Sequence, residues 1–346
     1  VVNSHQQGDV MAVLKAGAYG HGMEEIAGAL ETLPSDIAPT FFGVASAIEA
    51  RRLAHAGIHT RIYLLGPSCP FERQEIVAYG WTPCISSMDE ASDFNQIAGR
   101  HNHSIKLKVH LTVDTGMGRG GFLPNDLLEL QGELNKLTHL DIEGIGSHLP
   151  CADEDEAFTR AQFEQFDTLI EALGADKFRY IHLANSAGIL GYQSRHTNLQ
   201  RPGLMLYGIS PLASHQNELK PVLSLKSKVS LVRTLPAGQG ISYGRETILE
   251  HDTRVATIGI GYGDGYPRNA INGTPVLING IRCPLVGRVS MDMITVDVTA
   301  LSEVAIGDKA VLWGPELPVN EVASYCDTIG YELLTRMPER VPRVYL

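Results

Sequence analysis

Lys15 ends the apolar run Met11 to Leu14, which reads as a strand, and Gly17, Gly20 and Gly22 follow it closely. A lysine amine beside a loop whose glycines let a ligand approach the backbone is placed to condense with an aldehyde as an imine. Taken alone, the same lysine reads more readily as the surface end of a strand. Other polar residues also sit next to apolar runs: Arg119 in GMGRGG, His148 in GSHL, Asn185 and Ser186 in ANSAG, and Arg201 in QRPG. A guanidinium offers paired donors to a carboxylate or phosphate, although Arg119 by itself also fits a plain surface ion pair. The segment Gly116 to Gly121 formally matches the G-x-G-x-x-G fingerprint, with Asp141 about twenty residues beyond. That fingerprint needs its glycine turn to open a helix and its acid to end the next strand. Here Pro124 comes soon after the glycines and Asp141 begins its run, so no dinucleotide site is expected.

The elements that must hold these residues follow from the pattern of apolar runs. Eight occur in the first two-thirds of the chain: VMAVLKA from Val10, FFGVA from Phe41, RIYLL from Arg61, WTPCI from Trp81, KLKVHLTV from Lys106, DIEGIGS from Asp141, FRYIHLA from Phe178 and LMLYGI from Leu204. Between them lie amphipathic stretches such as Ala45 to Ala56, carrying Ile48 and Leu53, and Phe158 to Leu173, where Phe163, Phe166, Leu169 and Ile170 recur at helical spacing. This alternation predicts parallel strands with helical crossovers, and eight of them predict a closed (β/α)8 TIM barrel rather than an open doubly wound sheet. In such a barrel the working face lies at the C-terminal ends of the strands. Lys15 and Tyr19 follow the first run, Arg119 the fifth, His148 the sixth, and Asn185 with Ser186 the seventh. Arg201 breaks the rule, because it precedes the eighth run. After Pro211 the runs VLSLKSKVSLVRTL, TRVATIGIGYGDG, TPVLINGIRCPLVG and MITVDV follow one another without helices, as a mainly antiparallel β domain would. The expected division is α/β, with a barrel over 1–217 and a β domain over 218–346.

Composition narrows the function. A 346-residue chain that is 44% hydrophobic has enough apolar material for a large core, and its net charge of −11 argues against nucleic acid or an anionic membrane as partner. No segment approaches the roughly 18 apolar residues a membrane-spanning helix needs, and the opening VVNSHQQGDV lacks a basic region followed by an apolar one. The cysteines at 69, 84, 151, 283 and 326 form no CxxC pair and have no metal-like spacing. Free thiols in the cytoplasm, and no metal site, are expected.

Together, the motifs AVLKAGAYGHG, VDTGMGRGG, ANSAG, RPGLMLYG, ISYGRE, GYGDGYPR, VGRVSMDM and YELLTRMPERVPR resemble the alanine racemase family, the fold-type III pyridoxal-phosphate enzymes, over nearly the whole chain. The resemblance implies a homodimer that interconverts L- and D-alanine, with active sites completed across the interface. It makes Lys15 the carrier of pyridoxal 5'-phosphate and Tyr243, from the partner subunit, the second acid/base. Two groups are needed because the alpha proton leaves one face and returns to the other. Arg201 then faces the pyridine nitrogen, His182 positions that arginine, and His148 packs beside the ring. Either histidine alone also fits a satisfied core role. The phosphate is expected among Tyr19, Ser186, the backbone at Gly203 and Leu204, and Tyr331. Arg119 and the backbone at Met291 would hold the substrate carboxylate, and Tyr262 would narrow access to the site.

Two positions depart from the family pattern. Thr112 stands where many members carry a lysine, often carbamylated, that would give Arg119 a negative partner; a bound anion, Asp114 or water are the replacements considered. The family also carries some twenty or more further residues before this segment, including an opening helix and a strand that joins the second domain. Rival functions are a racemase of broader range, acting on serine or basic amino acids, and a non-catalytic pyridoxal-phosphate-binding regulatory protein. A barrel decarboxylase is a further rival, but its second group is usually a cysteine of the second domain, and neither Cys283 nor Cys326 lies in ISYGRE.

Overall fold

Apolar runs of four to seven residues form most of the strands of a parallel barrel in the computed structural model, which describes residues 2, 8–101 and 105–346. Much of the opening decapeptide therefore lies outside the described residues. The barrel strands are β1 (Asp9–Val13), β2 (Phe41–Val44), β3 (Arg61–Leu64), β4 (Thr82–Ile85), β5 (Leu107–Thr112), β6 (Leu140–Gly146), β7 (Tyr180–His182) and β8 (Leu199–Gln200). Their order in the sheet is β7-β6-β5-β4-β3-β2-β1-β8, with every pairing parallel. Asn198 closes the ring: its N–H donates to the Ile181 carbonyl at 2.9 Å and its side-chain oxygen accepts from the Ile181 N–H at 2.8 Å.

Helices α1 (Met23–Glu31), α2 (Ala47–His55), α3 (Arg73–Tyr79), α4 (Met88–His101), α5 (Pro124–Leu134), α6 (Glu156–Leu173) and α7 (Ser186–Gly191) follow β1 to β7 in turn. Local chemistry sets their starts. Asp155 caps α6 by accepting from the Phe158 N–H, and Asn185 caps α7 by accepting from Gly188. In α6 the apolar stripe Phe163, Phe166, Leu169 and Ile170 is buried. In α2 the buried face is Ala47, Ala50 and Leu53, while Ile48 is exposed.

The eighth strand corrects the sequence reading. It is the short β8, and the run expected there, Leu204–Tyr207, is a 3-10 turn closed by Gly208 in the left-handed region. A short, fully apolar run carries no periodicity that separates strand from helix. With β8 ending at Gln200, Arg201 follows its strand like the other site residues, and the mismatch disappears.

The chain divides into two compact units, one holding the residues up to Ala18 and Gly22–Leu219, the other Tyr19–His21 and Lys220–Leu346. In the second unit β9 (Leu225–Leu235), β12 (Thr253–Ile258), β13 (Pro275–Ile278), β14 (Ile281–Pro284), β15 (Ile294–Asp297) and β16 (Lys309–Trp313) form one antiparallel sheet, ordered β14-β13-β16-β9-β12-β15. β10 (Gly240–Ile241) pairs with β11 (Thr247–Ile248) beside the ISYGRE segment. Short helices α8 (Val319–Ser324) and α9 (Gly330–Thr335) complete the unit. Trp313 stacks on Tyr266 in its core at 6.1 Å between ring centroids. Among the described residues no helix is long and apolar enough to cross a membrane, and no group of three or more histidine, cysteine or acidic residues could hold a metal. All five cysteines are free.

Candidate active site

Lys15 leaves β1 into a turn that almost no sequence reading would anticipate. Ala16 (φ 55°, ψ 47°), Gly17 (64°, 38°), Ala18 (54°, 51°) and Tyr19 (φ 52°) are four consecutive left-handed residues. Each non-glycine residue in that conformation costs about 1–2 kcal/mol, so the surrounding bonds must hold it. The Ala18 N–H donates to the Leu14 carbonyl at 2.7 Å, the Gly22 N–H to Gly17 at 2.9 Å, and the Ala16 N–H to the Glu49 carboxylate at 2.7 Å. Burial, and then the Arg119 guanidinium, push the Lys15 amine below its ordinary range; Glu49 opposes them and Arg201 adds to the fall. An amine so placed is uncharged, and therefore nucleophilic, at lower pH than an exposed lysine.

Arg201 is buried in the barrel and makes its bonds with one side of its guanidinium. Nη1 donates to His182 Nδ1 at 2.6 Å, while Nη2 faces the Ser147 and Leu183 carbonyls at 2.7 and 3.1 Å and His148 Nδ1 at 3.1 Å. Nε has no hydrogen-bond partner among the described residues. Burial lowers the Arg201 pKa to about 10, so it stays cationic near neutrality. Burial, then Arg201, Arg119 and Lys15, push His148 down to about 3, which keeps it neutral.

Behind His182 the chain of bonds continues through the barrel interior. Because arginine only donates, His182 accepts at Nδ1 and carries its proton on Nε2, which meets His110 Nδ1 at 2.9 Å. His110 must then carry its own proton on Nε2, which faces the Glu143 carboxylate at 3.6 Å. Arg61 pairs with the same carboxylate. His110, His182 and Glu143 are all buried. Burial holds both imidazoles neutral, lowering His110 and taking His182 well below its usual value. For Glu143, burial alone would raise the pKa, but the facing His110 ring and the Arg61 guanidinium hold it down to about 2. Reading the sequence missed His110, Glu143 and Arg61; a histidine and a glutamate on barrel strands β5 and β6 were the available signal.

Ser186 opens α7. Its Oγ accepts from the Gly203 N–H at 3.0 Å and the Met205 N–H at 3.2 Å, which leaves its own hydroxyl hydrogen to be donated. Leu204, between them, begins the 3-10 turn. The first unit thus gathers Lys15, His148, His182, Ser186, Arg201, Gly203 and Leu204 at the C-terminal ends of its strands. A phosphorylated, aldehyde-bearing heteroaromatic ring fits this donor set: an amine held below its usual pKa, a cationic N–H without a partner, and a hydroxyl committed to donating.

Arg119 is exposed and has no hydrogen-bond or ion-pair partner for its guanidinium among the described residues. Its charge acts on Lys15, His148 and Arg201. Asp114, considered as its partner, is otherwise engaged: its carboxylate accepts from the N–H groups of Gly116 and Gly118 at 2.9 and 3.1 Å, with Met117 and Arg119 adding to the cradle. The glycine loop therefore wraps a side chain of its own rather than a pyrophosphate. Thr112 faces Tyr63 and Cys84.

In the second unit, Tyr19 and Tyr331 approach to 6.2 Å between ring centroids, and burial raises Tyr19 to about 12. Gly20 shows how tightly this segment is held: an added Cβ would fall 2.0 Å from the Leu334 carbonyl oxygen. Tyr262 and Met291 are brought together, with the Tyr262 N–H donating to Ser290 at 3.0 Å and the Gly263 N–H to Met291 at 2.8 Å. Tyr243 lies in a short turn after β10 and is 71% exposed.

Sequence profiles described as "Alanine racemase, N-terminal domain" and "Alanine racemase, C-terminal domain" match residues 1–211 and 222–345. The alanine racemase of Halothermothrix orenii is 35% identical over 347 residues, covering 97% of this chain and 89% of that protein. That of Stutzerimonas stutzeri is 38% identical over 344 residues, covering 98% and 93%. Among solved structures, the biosynthetic alanine racemase from Pseudomonas aeruginosa superposes with a TM-score of 0.90 at 37% identity, covering 100% of this chain and 94% of that one. The alanine racemase from Bartonella henselae, with covalently bound pyridoxal phosphate, gives 0.90 at 30% identity, covering 100% and 95%.

Proposed function

The chain belongs to the alanine racemase family, and we propose that Lys15 and Tyr243 are the two groups with which it exchanges the alpha proton of alanine. It is an amino-acid isomerase interconverting L- and D-alanine. The observation that carries the residue assignment is Lys15 itself, held by a strained turn next to Arg201 with its ammonium form disfavoured.

Pyridoxal phosphate, when bound, supplies an aldehyde for the amine and a ring that spreads the charge left at the alpha carbon. By the family resemblance, Ser186, the backbone at Gly203 and Leu204, Tyr19 and Tyr331 would hold its phosphate, Arg201 would face the ring nitrogen, and His148 would pack beside the ring. Arg201 keeps its proton at neutral pH, so it would donate to the ring nitrogen rather than accept from it and would leave that nitrogen unprotonated. Lys15 Nζ takes or gives the proton on one face, and the hydroxyl of Tyr243 of the partner subunit serves the other. Arg119 binds the substrate carboxylate with the backbone at Met291, and Tyr262 restricts the side chain to about the size of a methyl group. One methylene in such a pocket is worth only about 1–3 kcal/mol, so serine is turned over slowly. The enzyme is a cytoplasmic homodimer in this reading, supported by the free thiols and by the exposure of Tyr243.

Borohydride reduction of the holoenzyme followed by peptide mapping tests the assignment, alongside a chiral assay with alanine, serine and lysine. The pyridoxyl label is expected on Lys15 and turnover is expected to be fastest with alanine. A label on any other residue removes the mechanism.

A further inference from the structure

Glu49 opens α2 within the sequence Ser46-x-x-Glu49, a pattern in which the glutamate ordinarily reaches back to the N–H of the capping residue. Half of that arrangement is present: the Glu49 N–H donates to Ser46 Oγ at 3.3 Å. The carboxylate, however, bridges elsewhere. Oε2 accepts from the Ala45 N–H at 2.7 Å, just past the end of β2, and Oε1 accepts from the Ala16 N–H at 2.7 Å, one residue past Lys15. The second bond ties the first residue of the left-handed turn to a neighbouring strand end 33 residues away in sequence. Ala16 is an alanine at φ 55°, a conformation it would leave without restraint. Charge-assisted bonds to a carboxylate are about twice as strong as neutral ones, so this one is suited to the task.

We propose that Glu49 is a positioning residue for Lys15: its carboxylate pins the strained turn and supplies the negative charge that faces the lysine. The inference rests on Lys15 being the residue that bonds the cofactor. Two separable consequences follow. Geometry needs an oxygen acceptor for each of two N–H groups, which a glutamine cannot provide because its amide would set a donor against a donor. Charge needs only a carboxylate. Among the groups acting on Lys15, Glu49 alone favours its protonated form, against Arg119 and Arg201.

The test compares the parent holoenzyme with Glu49→Gln and Glu49→Asp. It measures the pH midpoint of the cofactor absorbance band, kcat and KM for alanine, and deuterium uptake of the peptide spanning residues 12–22 with and without pyridoxal phosphate. In Glu49→Gln the midpoint falls by about one pH unit, since removing a negative charge disfavours the protonated form. In the same variant kcat falls about tenfold while KM changes less than about twofold, and the 12–22 peptide exchanges faster in both preparations. Glu49→Asp keeps the charge but is too short to span both N–H groups, so its midpoint stays near the parent's while kcat falls. If Glu49→Gln does not accumulate as folded protein, Glu49→Asp decides, and parent-like kcat and exchange there overturn the proposal. A parent midpoint, kcat and exchange retained in Glu49→Gln overturn it as well, leaving the role of Lys15 intact. A parent holoenzyme whose absorbance band survives Lys15→Ala unchanged overturns the role of Lys15 and this inference together.

Discussion

Arg201 cannot accept a hydrogen bond, and that one property fixes the protons of both histidines behind it. The resulting hydrogen-bonded chain runs from Arg201 through His182 to His110, whose Nε2 faces Glu143 at 3.6 Å, and Arg61 balances the charge of that carboxylate. Burying ionised groups is expensive unless each is paired, so this network is a costly way to fill a barrel and a firm way to orient an arginine. Its carboxylate makes a pH prediction. Glu143 has a folded-state pKa of about 2 against an ordinary 4.5, so the folded protein binds fewer protons than the unfolded chain between those values. The stability it contributes is full above about pH 4.5 and is lost as pH falls toward about 2. In Glu143→Gln the curve of melting temperature against pH flattens on this acid limb and is lower at neutral pH, where Arg61 lacks its partner; an acid limb as steep as the parent's would refute the assignment. At this scale Lys15 stood out from its strand and glycine loop, whereas Arg201 and His182 were singled out for their roles only by the family resemblance. His110, Glu143 and Glu49 were not, because each matters through a partner far away in sequence.

Strand β6 provides the room for that network through the spacing of its glycines. Gly144 and Gly146 pair with His110 and Thr112 on one side and with Tyr180 and His182 on the other. A Cβ at Gly144 would lie 2.7 Å from the His110 ring, and one at Gly146 2.1 Å from the His182 ring. Replacing Gly146 by alanine is therefore expected to destabilise the protein by about 1–3 kcal/mol and to lower kcat by moving His182 off Arg201. Gly132 serves as the contrast: it lies in α5 with open space around its Cβ, and Gly132→Ala should stabilise by about 0.5–1 kcal/mol with activity unchanged. Denaturant unfolding and steady-state assays of both variants check this, and a neutral Gly146→Ala contradicts the packing argument. The barrel strands were visible as apolar runs, and the alternating helices as periodicity. The eighth strand was misplaced because a two-residue strand leaves almost no pattern, and the left-handed turn at Ala16–Tyr19 was hidden because two of its residues are alanines, which seldom adopt it.

For the whole molecule, the proposed two-group mechanism requires Lys15 and Tyr243 to come from different copies of the chain. A parallel barrel followed by an antiparallel domain was readable from the order of helices and strands, since alternation predicts one and uninterrupted strands the other. Association of two copies was not readable that way. An exposed tyrosine in a short turn says nothing of its partner, and only the likeness of ISYGRE to its counterpart in the family supplied the idea. Mixing Lys15→Ala with Tyr243→Phe under conditions that exchange subunits tests the claim most directly. Each parent variant alone is expected to be nearly inactive. In a mixed dimer one site loses both groups, while the other regains Lys15 from one chain and Tyr243 from its partner. With random exchange, roughly a quarter of parent activity should return. A mixture that exchanges subunits yet stays as inactive as its components would contradict a site shared between two chains.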